Sequence, residues 1–124
     1  MKTHKDLDVW KLSIEFVTEI YNLTKDFPKE EQFGLTNQIR RASVSIPSNI
    51  AEGAGRRSDK EFLQFLYISM GSIQEIDTQL LISLNLNYLT KSEYEILLTK
   101  LDQISKMISG LIKSVKERLN LNNQ

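Results

Sequence analysis

Residues Leu35 to Phe62, LTNQIRRASVSIPSNIAEGAGRRSDKEF, constrain the fold more than any other stretch of this chain. Leu35, Ile39, Ala42, Ile46, Ile50 and Gly53 recur at intervals of three and four, forming one narrow apolar stripe along a helix. Pro47 stands inside that run, where its ring removes the N–H that would bond the carbonyl of Ser43. The stripe nevertheless keeps its phase across the proline. The spacing therefore predicts a helix starting near Glu31–Leu35 and reaching about Gly53, kinked at Pro47 but not broken there.

An ideal wheel puts Arg41, Ser45, Ser48, Glu52 and Arg56 on the far side of this helix, with Ser43, Val44, Pro47, Ala51 and Ala54 between the faces. An ordinary surface helix would place Lys, Glu and Gln at most of these positions. Small residues all round let other backbones come close on more than one side. This predicts either a contact between subunits or a central place in a small bundle.

The remaining chain supplies the other helices. From Leu7 to Lys25, Trp10, Ile14, Val17 and Tyr21 form an apolar stripe, widened by Phe16, Ile20 and Leu23, and the spacing assigns Trp10 and Tyr21 to the core. Phe27-Pro28 closes that helix, and Lys29 to Phe33 reads as a connection. Gly53 and Gly55 suggest a left-handed helix end, and Ser58 with Glu61 is a capping box that opens a third helix. Phe62, Leu66, Ser69, Ile73, Ile76, Leu80 and Leu84 line its main seam, while Leu63, Met70 and Leu81 add a second arc. That is more apolar surface than one seam needs, which on a soluble protein points to a partner. Thr90 and Glu93 cap a fourth helix with a coiled-coil-like seam of Leu97, Leu101, Ile104, Ile108, Leu111 and Val115, and Asn120 to Gln124 are expected to fray. Short connections force neighbouring helices to run antiparallel. The prediction is an all-α, antiparallel up-down four-helix bundle, occupying residues 1–124 as a single domain.

Composition agrees and narrows the chemistry. Only 5 glycines and 2 prolines in 124 residues leave little punctuation for a turn-rich sheet protein. The 16 basic and 16 acidic residues cancel, so nucleic-acid binding would need a local patch. No cysteine is present, the sole histidine is His4, and no run resembles a signal peptide or a membrane span. The expected location is cytoplasmic, away from membranes. Without Cys or a second His, zinc sites and His-dependent triads have no ligands or base, and the Glu-x-x-His pairs of di-iron bundles are missing. Glu75 and Asp77 flank the third seam as solvated carboxylates, and Ser48 has no base to activate it. The sequence predicts no catalytic residue, metal or cofactor.

The one cluster with binding chemistry is basic. Arg56 and Arg57, with Lys60, stand where the second helix meets the third. Arg40 and Arg41 add donors on faces of the second helix away from its stripe, and Glu52 is the only acid between Arg40 and Arg57. Planar guanidinium donors beside a helix N-terminus suit phosphate. The competing reading pairs these arginines with Glu52, Asp59 and carboxylates of a neighbouring subunit. Two functions follow: an oligomeric bundle associated with RNA or DNA through this cluster, or a protein-interaction scaffold without nucleic acid. Val44, Ser48, Ala51, Leu63, Met70 and Leu81 are the expected oligomer contacts.

The run from Leu35 through IRRASVSIPSNIAEGAGRRSDKEF to Leu80 resembles the core signature of the bacterial four-helix-bundle proteins encoded in intervening sequences of large-subunit ribosomal RNA genes, also labelled "S23 ribosomal protein". The likeness is close over Phe33 to Leu89, and the flanking helices agree in length. It implies a ring-like homopentamer without catalytic residues. The chain is also similar to the accessory protein of diversity-generating retroelements, a basic pentamer that binds nucleic acid and a reverse transcriptase. That similarity implies a reverse-transcriptase-like partner, although the balanced charge here departs from the basic relative.

Overall fold

The structure, a computed structural model, describes residues 3–122. Four helices carry the fold: α1 (Asp8–Thr24), α2 (Leu35–Ala54), α3 (Asp59–Asn85) and α4 (Lys91–Asn122). They pack in chain order, α1 on α2, α2 on α3, α3 on α4 and α4 back on α1, and among the described residues the backbones approach closely along these four sides and not across the diagonals. Direction follows from individual bonds. Arg40, near the start of α2, reaches Thr24 at the end of α1, and Ser69 and Ser72 of α3 meet Ile46 and Ser45 of α2 in descending order. Arg118, near the end of α4, reaches Asp59 at the start of α3. Every neighbour is antiparallel, as the short connections require.

Local chemistry sets the helix ends. Ser58 Oγ accepts the Glu61 N–H at 3.2 Å, and Thr90 with Glu93 forms a reciprocal box of 2.8 and 3.1 Å. Glu31 lies one turn before α2 and accepts the Leu35 N–H with Oε1, while its Oε2 accepts the Tyr88 hydroxyl at 2.9 Å. One carboxylate thereby caps α2 and ties its start to the α3–α4 turn. Asn87 takes the left-handed conformation in that turn, at φ 63°.

α2 runs unbroken through Pro47, as the phase of its stripe predicts, and Ile39, Ile46 and Ile50 are fully buried with Leu66, Ile76 and Leu80 of α3. Its glycines serve a different purpose from the expected left-handed terminus. Among the described residues no glycine has positive φ, and Gly55 is right-handed. At Gly53 an added Cβ would stand 2.7 Å from Phe65 Cβ and 2.9 Å from Phe62 Cδ1, so the position is small because α3 crosses it closely. Several small residues of α2 thus belong to the bundle itself: Ser69 Oγ donates to the Ile46 carbonyl at 3.1 Å, and Ser72 Oγ to Ser45 Oγ at 2.8 Å.

Two expectations need correction. The buried line of α1 is Val9, Ser13, Phe16, Ile20 and Thr24, about a quarter-turn from the predicted Trp10–Ile14–Val17–Tyr21 stripe. Ser13 and Thr24 tolerate burial because each hydroxyl donates to its own helix, to the Trp10 carbonyl at 2.8 Å and the Ile20 carbonyl at 2.7 Å. Trp10 and Val17 are half-buried instead, and Ile14 and Tyr21 are 40% and 39% exposed. In α4 the buried seam passes through Ile112, with Leu111 only partly covered. α4 continues to Asn122, and the expected fraying from Asn120 extends to Asn123 and Gln124, which lie outside the described residues.

Candidate functional site

Rotation of α1 leaves its broad apolar arc at the surface beside α2. Trp10, Ile14 and Val17 form one wall of an open groove, and Val44, Pro47, Ser48 and Ala51 form the other, around a volume of about 290 Å³. His4 closes one end, its ring set edge-on to Trp10 at 5.1 Å. Val44 is 39% exposed, Ser48 is exposed and Ala51 half-buried, so these three predicted contacts do share one accessible face. The other three do not join them. Leu63 and Met70 are half-buried against the core, and Leu81 lies exposed towards the far end of α3.

The structure divides the arginines. Arg40 and Arg41 sit some 15 residues before Arg56 and Arg57, about 22 Å away along the helix axis. Arg40 is committed within the chain. Its Nε donates to Thr24 Oγ1 at 2.8 Å and a terminal nitrogen to the Tyr21 carbonyl at 3.3 Å, with the guanidinium 4.5 Å from the Tyr21 ring centre. It satisfies carbonyl and hydroxyl groups in the last turn of α1, a stabilising place for a cation. Arg41, about a quarter-turn further round the helix, is exposed and makes no polar contact among the described residues.

At the α2–α3 junction Arg56 pairs with Glu52 at 2.6 Å and lies over the Phe65 ring at 5.0 Å. Arg57 and Lys60 are exposed and form no ion pair among the described residues. Asp59 takes a different partner from those expected. It accepts two bonds from Arg118, at 3.2 and 3.1 Å, and this pairing raises the Arg118 pKa above its ordinary range against the opposing pull of burial. Arg118, more than fifty positions from the cluster in sequence, thus completes the corner; only the antiparallel return of α4 could have announced it. Arg56, Arg57, Asp59 and Arg118 line a hollow of about 380 Å³.

Sequence reasoning also passed over Phe33. It projects from the connection before α2 with 88% of its surface exposed, the most exposed large apolar side chain among the described residues. An aromatic between Pro28 and Gly34, outside any helical stripe, was the available signal.

Among the described residues no group of three or more His, Cys, Asp or Glu side chains is placed to hold a metal. No helix there is long and apolar enough to cross a membrane. An apolar groove, an arginine corner and a square of four antiparallel helices define a helical-bundle protein whose distinctive chemistry lies on its outer faces. The chain belongs to the 23S rRNA-intervening sequence protein family, whose model matches residues 5–110. It is also similar to the crystal structure of a protein of unknown function from the S23 ribosomal protein family of Bacteroides thetaiotaomicron. That likeness has a TM-score of 0.79 and 30% identity, and covers 85% of this chain and 95% of the other. No curated protein matches.

Proposed function

We propose that this protein is a non-catalytic, self-assembling scaffold whose working form is a homo-oligomer, with five copies as the family resemblance implies. The observation that supports it is the α1–α2 groove: Ile14, Val17, Val44 and Ala51 leave apolar surface open where an isolated bundle would place charge. Equal numbers of acidic and basic residues remove bulk repulsion between copies. Light scattering tests this directly. The wild type should run as an oligomer at micromolar concentration, and Val44→Asp should dissociate it while leaving the helical circular dichroism intact. A wild-type monomer would end the proposal.

A second reading attaches nucleic acid to the assembled particle. It draws on Arg57 and Lys60, which form no ion pair among the described residues and lie beside the N-terminus of α3 near Arg56 and Arg118. Repetition around a ring would turn weak phosphate contacts into useful avidity. RNA and duplex DNA binding should then weaken with salt, and Arg57→Ala/Lys60→Ala should lower the salt slope by about one unit per lost contact, for all sequences alike. An intact oligomer with no salt-dependent binding would leave the scaffold alone.

A further inference from the structure

The groove and Phe33 are a hole and a knob on one chain. We infer that Phe33 of one copy seats in the α1–α2 groove of the next, joining subunits head to tail; this rests on the self-assembly reading above and specifies its contact. Four observations carry it. Phe33 is 88% exposed, yet its base is firmly held: Glu31, two residues earlier, bonds both the Leu35 N–H and the Tyr88 hydroxyl. With the backbone so held, the freedom lost on binding is confined to the ring's own rotation. The groove holds about 290 Å³, whereas a dry apolar cavity of about 150 Å³ accepts a benzene ring. Six of its lining side chains, Trp10, Ile14, Val17, Val44, Pro47 and Ala51, are apolar; Ser48 and His4 are the polar ones.

The fourth observation is distance. Phe33 precedes α2, and the groove wall lies 11 to 18 residues further on, roughly 16–27 Å along the axis. The knob cannot fill its own groove. Exchanged reciprocally about a two-fold axis, knob and hole would close a dimer. Passed head to tail, as inferred here, each copy offers one knob and one hole, and the chain of contacts closes into a ring when the rotation between copies allows it. Leu86, beside the Asn87 turn, is a second exposed apolar side chain at the Phe33 end of the bundle.

The absence of cysteine makes the test clean. Gln32→Cys places a thiol beside the knob and Ser48→Cys one on the groove rim, both at exposed positions. Within one chain they are about 24 Å apart, beyond a short bismaleimide. The double variant should give a ladder of covalent oligomers on a denaturing gel. A mixture of the two single variants should stop at dimers, and each single variant alone should stay uncrosslinked. Phe33→Ala should weaken assembly by about tenfold or more, the effect of truncating a buried aromatic anchor. Single variants that crosslink alone would show a two-fold contact and overturn the inference, as would a Phe33→Ala protein that assembles like the wild type. An assembled double variant that yields no ladder would also overturn it. In each of these cases self-assembly itself survives, whereas a wild-type monomer removes both.

Discussion

Replacing Gly53 by alanine should destabilise the bundle although alanine is the better helix former. In a helix interior the exchange gains up to about 1 kcal/mol, and less at this penultimate position of α2. Against that gain stands the new methyl, 2.7 Å from Phe65 Cβ and 2.9 Å from Phe62 Cδ1. The first neighbour is the root of its side chain and cannot swing away, so α2 and α3 must separate. Overpacking of this kind costs about 1–3 kcal/mol, leaving a net loss of about 1–2 kcal/mol. For a chain of this length, that lowers Tm by about 4–8 °C. Gly71→Ala is the matched control, because nothing lies within 4 Å of its added Cβ. It should raise Tm by about 2–4 °C through propensity alone. Thermal melts followed by circular dichroism at one fixed protein concentration compare the pair. If Gly53→Ala stabilised as Gly71→Ala does, the close crossing of α2 and α3 would be refuted.

Arg40→Ala should cost about 1 kcal/mol in urea melts, through its bonds to Thr24 and the Tyr21 carbonyl, yet leave any salt-dependent RNA binding unchanged. The Tyr88 pKa is raised from its ordinary 10.0, first by its hydrogen bond to Glu31, then by burial and the nearby charges of Glu31 and Glu30. A raised folded-state value means that the Tyr88 contribution is complete below pH 10 and is lost as pH climbs past the folded pKa. Absorbance titration should show a tyrosine ionising above pH 10 that Tyr88→Phe removes, along with part of the alkaline loss of stability.

Much of this architecture is legible because α2, α3 and α4 obey simple periodicity. The stripe of Ile39, Ile46 and Ile50 survives Pro47, and the capping boxes at Ser58 and Thr90 mark two helix starts. α1 misleads because Ser13 and Thr24 look like surface residues, while a hydroxyl bonded to its own helix is at ease in the core. A count of apolar residues then turns towards Trp10 and Tyr21. The arginine cluster misleads in another way: fifteen residues that are adjacent on the page span about 22 Å when helical. Conversely, Arg118 and Asp59 become partners through the return of α4. Neither distance is visible without the turn of the chain that sets it.

The four sides of the helical square are unequal, and this sets the order in which the molecule breathes. α1 is the shortest helix, at 17 residues, and meets α4 over the narrowest of the four seams. There a half-buried Lys100–Glu19 pair stands where the other seams have broad apolar contact, and Glu19 Oε2 remains without a partner among the described residues. Lifting α1 therefore exposes less apolar surface than parting α2 from α3, so the cheapest sub-global opening runs along the α1–α4 edge. Amide protons of α1 should exchange ahead of those of α2 and α3, with the Arg40 clamp on Tyr21 and Thr24 acting as the latch that sets their rate. One wall of the groove is built on this loosest helix, and anything that fills the groove would slow the exchange of α1 before that of any other part of the chain.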